Sequence, residues 1–259
     1  MKPLALLDPA PVRAVLLDID DTLTTEGKLT AHAYESLERL HAAGLKLVPV
    51  TGRPAGWCDH IARMWPVDAV VGENGAFYFL HADGRLQKRF SDDAATRAGK
   101  RARLEAIAKR IFEAVPGSAL ASDQAYRETD LAIDYCEDVP DLGLPAAERI
   151  AGLMREAGLT AKISSIHVNG WFGDYDKLAM TKALFIERFG MDLDRENTTV
   201  AFAGDSPNDA PMFRFFRNSV GVANVLKFGE VLTDKPKYVT EASSGAGFAE
   251  LAAHLLAKR

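Results

Sequence analysis

The chain has 259 residues, of which 47% are hydrophobic and 26% charged, an ordinary globular composition with material for a large core plus a smaller unit. Its 31 basic and 36 acidic residues give a formal charge of -5 and form no long block of either sign, which argues against a nucleic-acid or anionic-membrane surface. Two cysteines without metal-ligand spacing exclude a disulfide framework or a zinc site, and no apolar stretch has the length of a signal core or a membrane span. The expectation is a cytoplasmic protein.

In chain order, Val12 to Ile19 is a nearly continuous apolar run that ends in acids, as a strand buried on both faces would. Thr30 suits the N-cap of a helix running to Gly44. Leu45 to Val50 and Asp68 to Val71 read as further strands, with a helix from Trp57 to Met64 between them. The second half repeats the rhythm: a helix over Leu178 to Phe189, a strand over Thr199 to Ala203 and a short helix over Pro211 to Phe216. Strands at Val220 to Ala223 and Tyr238 to Thr240 and a closing helix over Gly247 to Lys258 complete it. Alternating strands and helices predict one parallel sheet covered on both sides.

The middle differs. Ala76 to Phe90 reads as a hairpin turning at Ala82-Asp83-Gly84, and Ala94 to Val115 as a long helix with Leu104, Ile107, Ile111 and Val115 on one face. Strands at Ser118 to Asp123 and Leu131 to Tyr135, a helix at Ala146 to Ala157 and a strand at Lys162 to Asn169 follow. The fold class expected is α/β: a Rossmann-like parallel-sheet core, residues 1–81 and 172–259, carrying an inserted α+β unit over 82–171.

Chemistry concentrates at strand ends. In Asp18-Ile19-Asp20-Asp21-Thr22 alternation lets Asp18 and Asp20 point the same way, and carboxylates so close call for a cation, Mg2+ by its oxygen preference. Capping of the next helix is the plainer alternative. The hydroxyl of Thr51 in Thr51-Gly52-Arg53 can donate to a phosphoryl oxygen or cap the helix that follows. Lys177 at a helix start is unfavourable without anionic neighbours; Lys182 is its rival. Gly204-Asp205-Ser206-Pro207-Asn208-Asp209 repeats the strand-end acidic pattern, with Asp205 as a metal ligand and Asp209 orienting Lys177 or a metal-bound water, or else acting as turn and cap.

Read in order, DIDDT, TGR, Lys177 and GDSPND resemble the four motifs of the haloacid dehalogenase superfamily. Glu73-Asn74-Gly75-Ala76 and the long insertion resemble its subfamily IIB with a C2-type cap. The resemblance implies a Mg2+-dependent phosphatase in which Asp18 is phosphorylated, Asp20 acts as acid and then base, and Thr51 and Lys177 hold the phosphoryl oxygens. It also implies Mg2+ bound by Asp18, the backbone carbonyl of Asp20 and Asp205, with Asp209 and Asn208 in support. A second aspartate, Asp20, points to phosphoryl transfer and away from dehalogenation. Position 21, most often Gly in the family, is Asp21 here, which bears on the turn geometry and is expected to face solvent.

Substrate contacts are expected from Gly52, Arg53, Asn74 and Asn208 on the core, and from Arg127, His167, Asn169 and Trp171 on the insertion. The last three alternate along one strand. Plainer roles are an Arg127–Glu128 surface pair, a structural His167 and hinge packing by Trp171. By analogy the substrate is a small phosphorylated metabolite, a sugar phosphate or phosphoglycerate derivative, handled by a monomer or homodimer. A phosphomutase and a non-catalytic sugar-phosphate-binding protein are the alternatives.

Overall fold

The computed structural model describes residues 1–164, 166–229 and 231–257. The chain opens with a two-residue strand, β1 (Lys2–Pro3), and then forms β2 (Ala14–Leu17), α1 (Ala31–Ala42), β3 (Lys46–Pro49), α2 (Ala55–Met64) and β4 (Val70–Gly72). A hairpin, β5 (Phe77–Ala82) and β6 (Arg85–Phe90), turns through Asp83 and Gly84, both at positive φ, the conformation that tight hairpin turns require. The insertion continues with α3 (Ala94–Ala114), β7 (Ala119–Leu120), β8 (Leu131–Asp134), α4 (Gly143–Glu156), β9 (Thr160–Ile163) and β10 (His167–Trp171). The return to the core brings α5 (Lys177–Leu184), β11 (Val200–Gly204), α6 (Ala210–Phe215), β12 (Asn218–Gly221), β13 (Tyr238–Val239) and α7 (Ser244–Leu256).

The core sheet runs β1-β13-β12-β11-β2-β3, parallel throughout. Every residue of β2 is buried, and alternation divides them between two apolar layers. Val15 and Leu17 join Leu37 and Leu40 of α1 and Phe248 and Leu251 of α7. On the opposite face Leu16 meets Met180 and Leu184 of α5 and Phe213 of α6. In register, Leu17 pairs with Ala203 on one side and Pro49 on the other, so the segments that follow β2, β11 and β3 leave the sheet at one edge. Open α/β sheets bind ligands at such an edge.

Several local expectations change. The strand expected at Asp68 to Val71 runs beside β3 in parallel, through a bridge of Val50 with Val71 and backbone hydrogen bonds from Asp68 to Leu47 and from Thr51 to Val71, while its other side, as β4, pairs antiparallel with β5. The three-stranded sheet β4-β5-β6 therefore continues the core, and the expected boundary at residue 82 falls at the turn of that hairpin.

The insertion packs α3 and α4 on one face of an antiparallel sheet ordered β7-β8-β10-β9. The single strand expected over Lys162 to Asn169 is two, β9 and β10, paired antiparallel with Val168 opposite Ile163; Ser165 lies outside the described residues. Only Ala119 and Leu120 of the strand expected at Ser118 to Asp123 are extended. The helix expected over Leu178 to Phe189 ends at Leu184 and widens into a π turn over Phe185–Phe189. Helix α7 starts earlier than expected, at Ser244, and Lys258 lies outside the described residues. Cys58 is buried and Cys136 half-buried. Among the described residues, no helix is long and apolar enough to cross a membrane.

Candidate active site

The strand tips bring three acids and one lysine together. Lys177, buried at the first turn of α5, places Nζ 2.8 Å from Asp18 Oδ1 and 2.9 Å from Asp209 Oδ1. A cation at a helix N-terminus opposes the helix dipole, and these two carboxylates offset that cost. Asp209 Oδ2 accepts from the backbone N–H of Asp205 at 3.1 Å, which links the second acidic turn to the lysine. Rival Lys182 pairs with Asp194 at 2.7 Å on the surface.

Asp205 is held from two further sides. Thr22 donates to Oδ1 at 3.4 Å and Asn224 Nδ2 to Oδ2 at 3.1 Å. Asn224 also donates to the carbonyl of Asp21 at 3.0 Å and accepts from the N–H of Ser244 at 2.9 Å, tying both acidic turns to the start of α7. No motif pointed to Asn224. Asp21 adopts a left-handed backbone, φ +56°, the conformation for which glycine is favoured. Its side chain is half-buried, and burial and then Asp20 raise its pKa.

The acids outnumber their cation. Burial, outweighing Lys177, pushes Asp18 up to about 7. Burial, with Asp209 and Asp18 adding to it, pushes Asp205 up to about 9. Although burial disfavours its charge, Lys177 is held above the usual lysine range by Asp18 and Asp209. One oxygen each from Asp18, Asp205 and Asp209 lies within 4.8 Å of the others. An all-oxygen, multiply anionic set of this kind fits a hard divalent ion such as Mg2+, whose charge would keep the acids ionised.

Asp20 stands apart from that cluster. Arg53 grips it as a fork, Nε at 3.0 and 3.1 Å and Nη2 at 2.8 Å. The guanidinium sits 4.4 Å from the ring centroid of Trp57 and 3.7 Å from Asp123 of the insertion. Thr51 is fully buried and accepts from the N–H of Arg53 at 3.0 Å. It does not cap α2, whose N-cap is Pro54. The free N–H of Ala55 goes instead to Glu73 Oε1 at 2.9 Å.

Glu73 joins core and insertion. The same carboxylate accepts from the N–H groups of Glu128 at 2.9 Å and Thr129 at 2.7 Å, and from the Thr129 hydroxyl. Burial and then the Asp130 charge push it up to about 7. Glu73, Asn74 and Gly75 all have positive φ, +43°, +56° and +104°, and a Cβ on Gly75 would stand 2.0 Å from the carbonyl oxygen of Asp176. This turn therefore lies hard against the backbone that leads into Lys177.

Arg127 is no surface partner of Glu128: it is buried between Asp123, at 3.0 and 3.1 Å, and Asp130, at 3.1 Å. It also donates to the carbonyl of Gly52 at 3.0 Å, reaching across to the core. Asn169 Nδ2 donates to Asp130 at 3.0 Å. His167 Nε2 comes within 2.8 Å of Glu137 without the alignment of a hydrogen bond. Burial, and then Arg127, pushes this histidine down to about 4, so it is neutral at neutral pH.

Between the walls is a narrow cleft of about 50 Å³, lined by Asp18, Asp20, Gly52, Arg53, Asn74, Arg127, His167, Asn169, Asp205 and Asn208 among others. That is room for one or two waters. Lys177 and Trp171 line a neighbouring chamber, where Trp171 stacks on Tyr175 with centroids 5.7 Å apart.

The chain is similar to several known proteins. Residues 15–108 match the haloacid dehalogenase-like hydrolase family. A Haloarcula marismortui protein named phosphoglycolate phosphatase is 27% identical over 92% of this chain and 95% of its own length. A Thermoplasma acidophilum crystal structure shares the fold at a TM-score of 0.71 and 21% identity, covering 94% of this chain and 98% of that one. The sucrose-phosphatase of Synechocystis sp. PCC6803, solved with sucrose and phosphate, matches at a TM-score of 0.64 and 16% identity, over 93% and 97% of the two chains.

Proposed function

We infer that this chain, a haloacid dehalogenase-like phosphatase with an inserted cap, is a Mg2+-dependent phosphomonoesterase working through an aspartyl-phosphate on a small phosphorylated metabolite. The observation that carries the reading is the buried cluster in which Lys177 bridges Asp18 and Asp209 while Asp205 lies within reach of both. No structural need explains three carboxylates crowded at one sheet edge, since burying unneutralised charge is costly.

Asp18 attacks phosphorus, and the bond from phosphorus to the ester oxygen breaks as that oxygen takes a proton from Asp20. Asp20 then removes a proton from water, which attacks the phosphorus of the aspartyl-phosphate, releasing inorganic phosphate and restoring the Asp18 carboxylate. Lys177 and Thr51 hold phosphoryl oxygens throughout. Mg2+ would be held by Asp18, Asp205 and the backbone carbonyl of Asp20, supported by Asp209 and Asn208, and supplies positive charge against the phosphoryl oxygens. For its part Asp20 has to leave the Arg53 fork to reach the ester oxygen.

A small phosphorylated metabolite is supported by the relative named phosphoglycolate phosphatase; a sugar phosphate or phosphoglycerate derivative is the class proposed by analogy. The test is phosphate release from a panel of phosphorylated metabolites with Mg2+ and with EDTA, followed by acid quenching after brief exposure to a ³²P-labelled substrate. Expected are Mg2+-dependent release and a hydroxylamine-labile phosphorylated protein. Release unaffected by EDTA, or no release at all, would overturn the reading.

A further inference from the structure

The chamber beside the reaction cleft encloses about 280 Å³, against about 50 Å³ for the cleft itself. The two share Asn74, Lys162 and Asn208 as common walls. Among the described residues, the buried side-chain atoms without a hydrogen-bond partner are all nitrogens: Asn74 Nδ2, Arg97 Nε, His167 Nε2 and Trp171 Nε1. Two of these, on Asn74 and Trp171, belong to the chamber lining. A buried donor left unpaired costs roughly 1–3 kcal/mol, so two in one chamber imply an acceptor that completes them.

Charge supplies the second half of the argument. Of the cations lining the cleft or the chamber, Arg53 is engaged by Asp20, Arg127 by Asp123 and Asp130, and Lys177 by Asp18 and Asp209. Lys162, on the edge strand β9 opposite Asn169, has no carboxylate partner among the described residues. Two acids stand in the same lining, Asp174 and Asp176. Both are exposed, as Lys162 is, and Asp176 is already committed to the N–H of Ala179 at 2.7 Å.

We propose that this chamber receives the leaving group of the phosphoester and that Lys162 binds a carboxylate on it, with Asn74 and Trp171 as further donors. The substrate class is thus a short phosphorylated hydroxy acid. The buried lining atoms without a partner are donors, and a carboxylate, which only accepts, answers them more fully than a sugar hydroxyl, which also donates. The assignment rests on the phosphatase reading above and narrows its substrate.

Matched esters test it: 2-phosphoglycolate against 2-hydroxyethyl phosphate, and 3-phosphoglycerate against glycerol 3-phosphate, each pair differing in carboxylate versus hydroxymethyl. The wild-type protein with Mg2+ should prefer the acid of at least one pair by about tenfold or more in kcat/KM, the size of one well-placed ion pair. Lys162→Met should reduce that preference to about twofold or less, mainly through KM, while Lys162→Arg retains most of it. Trp171→Phe, which keeps the ring and removes Nε1, should lower the preference by a smaller factor. No preference in the wild-type protein, or a preference untouched by Lys162→Met, overturns the assignment. A wild-type protein that releases no phosphate even from p-nitrophenyl phosphate overturns the phosphatase reading instead, and the assignment with it.

Discussion

On the core wall of the cleft three carboxylates share one lysine, whereas on the cap wall two carboxylates enclose one arginine that also holds the carbonyl of Gly52. Both clusters are buried, and burial raises Asp130 on the cap wall as it raises Asp18 and Asp205, to about 7 and about 9, on the core wall. Arg127, hydrogen-bonded on every arm, is held above its ordinary range by Asp130, Asp123 and Glu73 even though burial opposes its charge. Thus the core wall gathers three carboxylates around one lysine, while the cap wall's arginine is matched by hydrogen bonds on every arm and ties the insertion to the core at Gly52.

Replacing Asp18 by Asn should break the core wall most severely. Turnover should fall by about 10⁴-fold or more, as loss of a nucleophile does, and the Mg2+-free melting temperature should change little because a crowded acid is removed along with one partner of Lys177. Steady-state phosphate release and a thermal melt check both halves. Retained Mg2+-dependent turnover would contradict the role given to Asp18.

Arg127→Met should be the largest blow to folding. It strands Asp123 and Asp130 in the interior, a loss of about 3–5 kcal/mol for one partner of a buried ion pair, read by denaturant unfolding. Equal stability would mean that the cap wall is not fastened by charge.

The next effect concerns Mg2+ and pH. An acid whose folded-state pKa is raised contributes stability that is present below its unfolded value, near 3.8 for Asp18 and Asp205, and lost as pH rises through the folded value. Without Mg2+ the core wall should therefore weaken between pH 4 and 9. If Mg2+ binds the ionised acids as proposed, its stabilisation should grow from pH 5.5 to 8, reaching on the order of 2–3 kcal/mol at a hundredfold excess over Kd. Melting curves with Mg2+ and with EDTA at those two pH values decide it, and a pH-independent increment would count against the site.

Smallest is Asp21→Gly. With φ at +56°, the aspartate pays a strain that glycine avoids, and the variant should gain up to about 1 kcal/mol, measured by chemical denaturation. A loss would show that the side chain, half-buried beside Asp20, contributes more than its backbone costs.

The core wall was legible in the sequence and the cap wall hardly at all, for a physical reason. Asp18 and Asp205 end apolar strands, and Lys177 sits where an isolated lysine is unfavourable, so each carries a local signal. Asn224, Glu73 and the Asp123–Arg127–Asp130 cluster act through partners supplied by the fold, up to 203 residues away for Asn224 and Asp21, and a polar residue in a loop does not announce its partner. The same holds for the elements. Strand β2 is readable as four consecutive buried apolar residues, but β1 has two residues and no period. The reversal between β9 and β10 runs through Ser164 and Ile166, with no glycine or proline to mark it.

The left-handed turn at Glu73–Gly75 ties two mutational fates together. Its first residue fixes the cap loop at Glu128 and Thr129, while its last packs on the peptide that introduces Lys177. A change at position 73 or 75 should therefore be felt at both ends, and the double variant should depart from the sum of the singles.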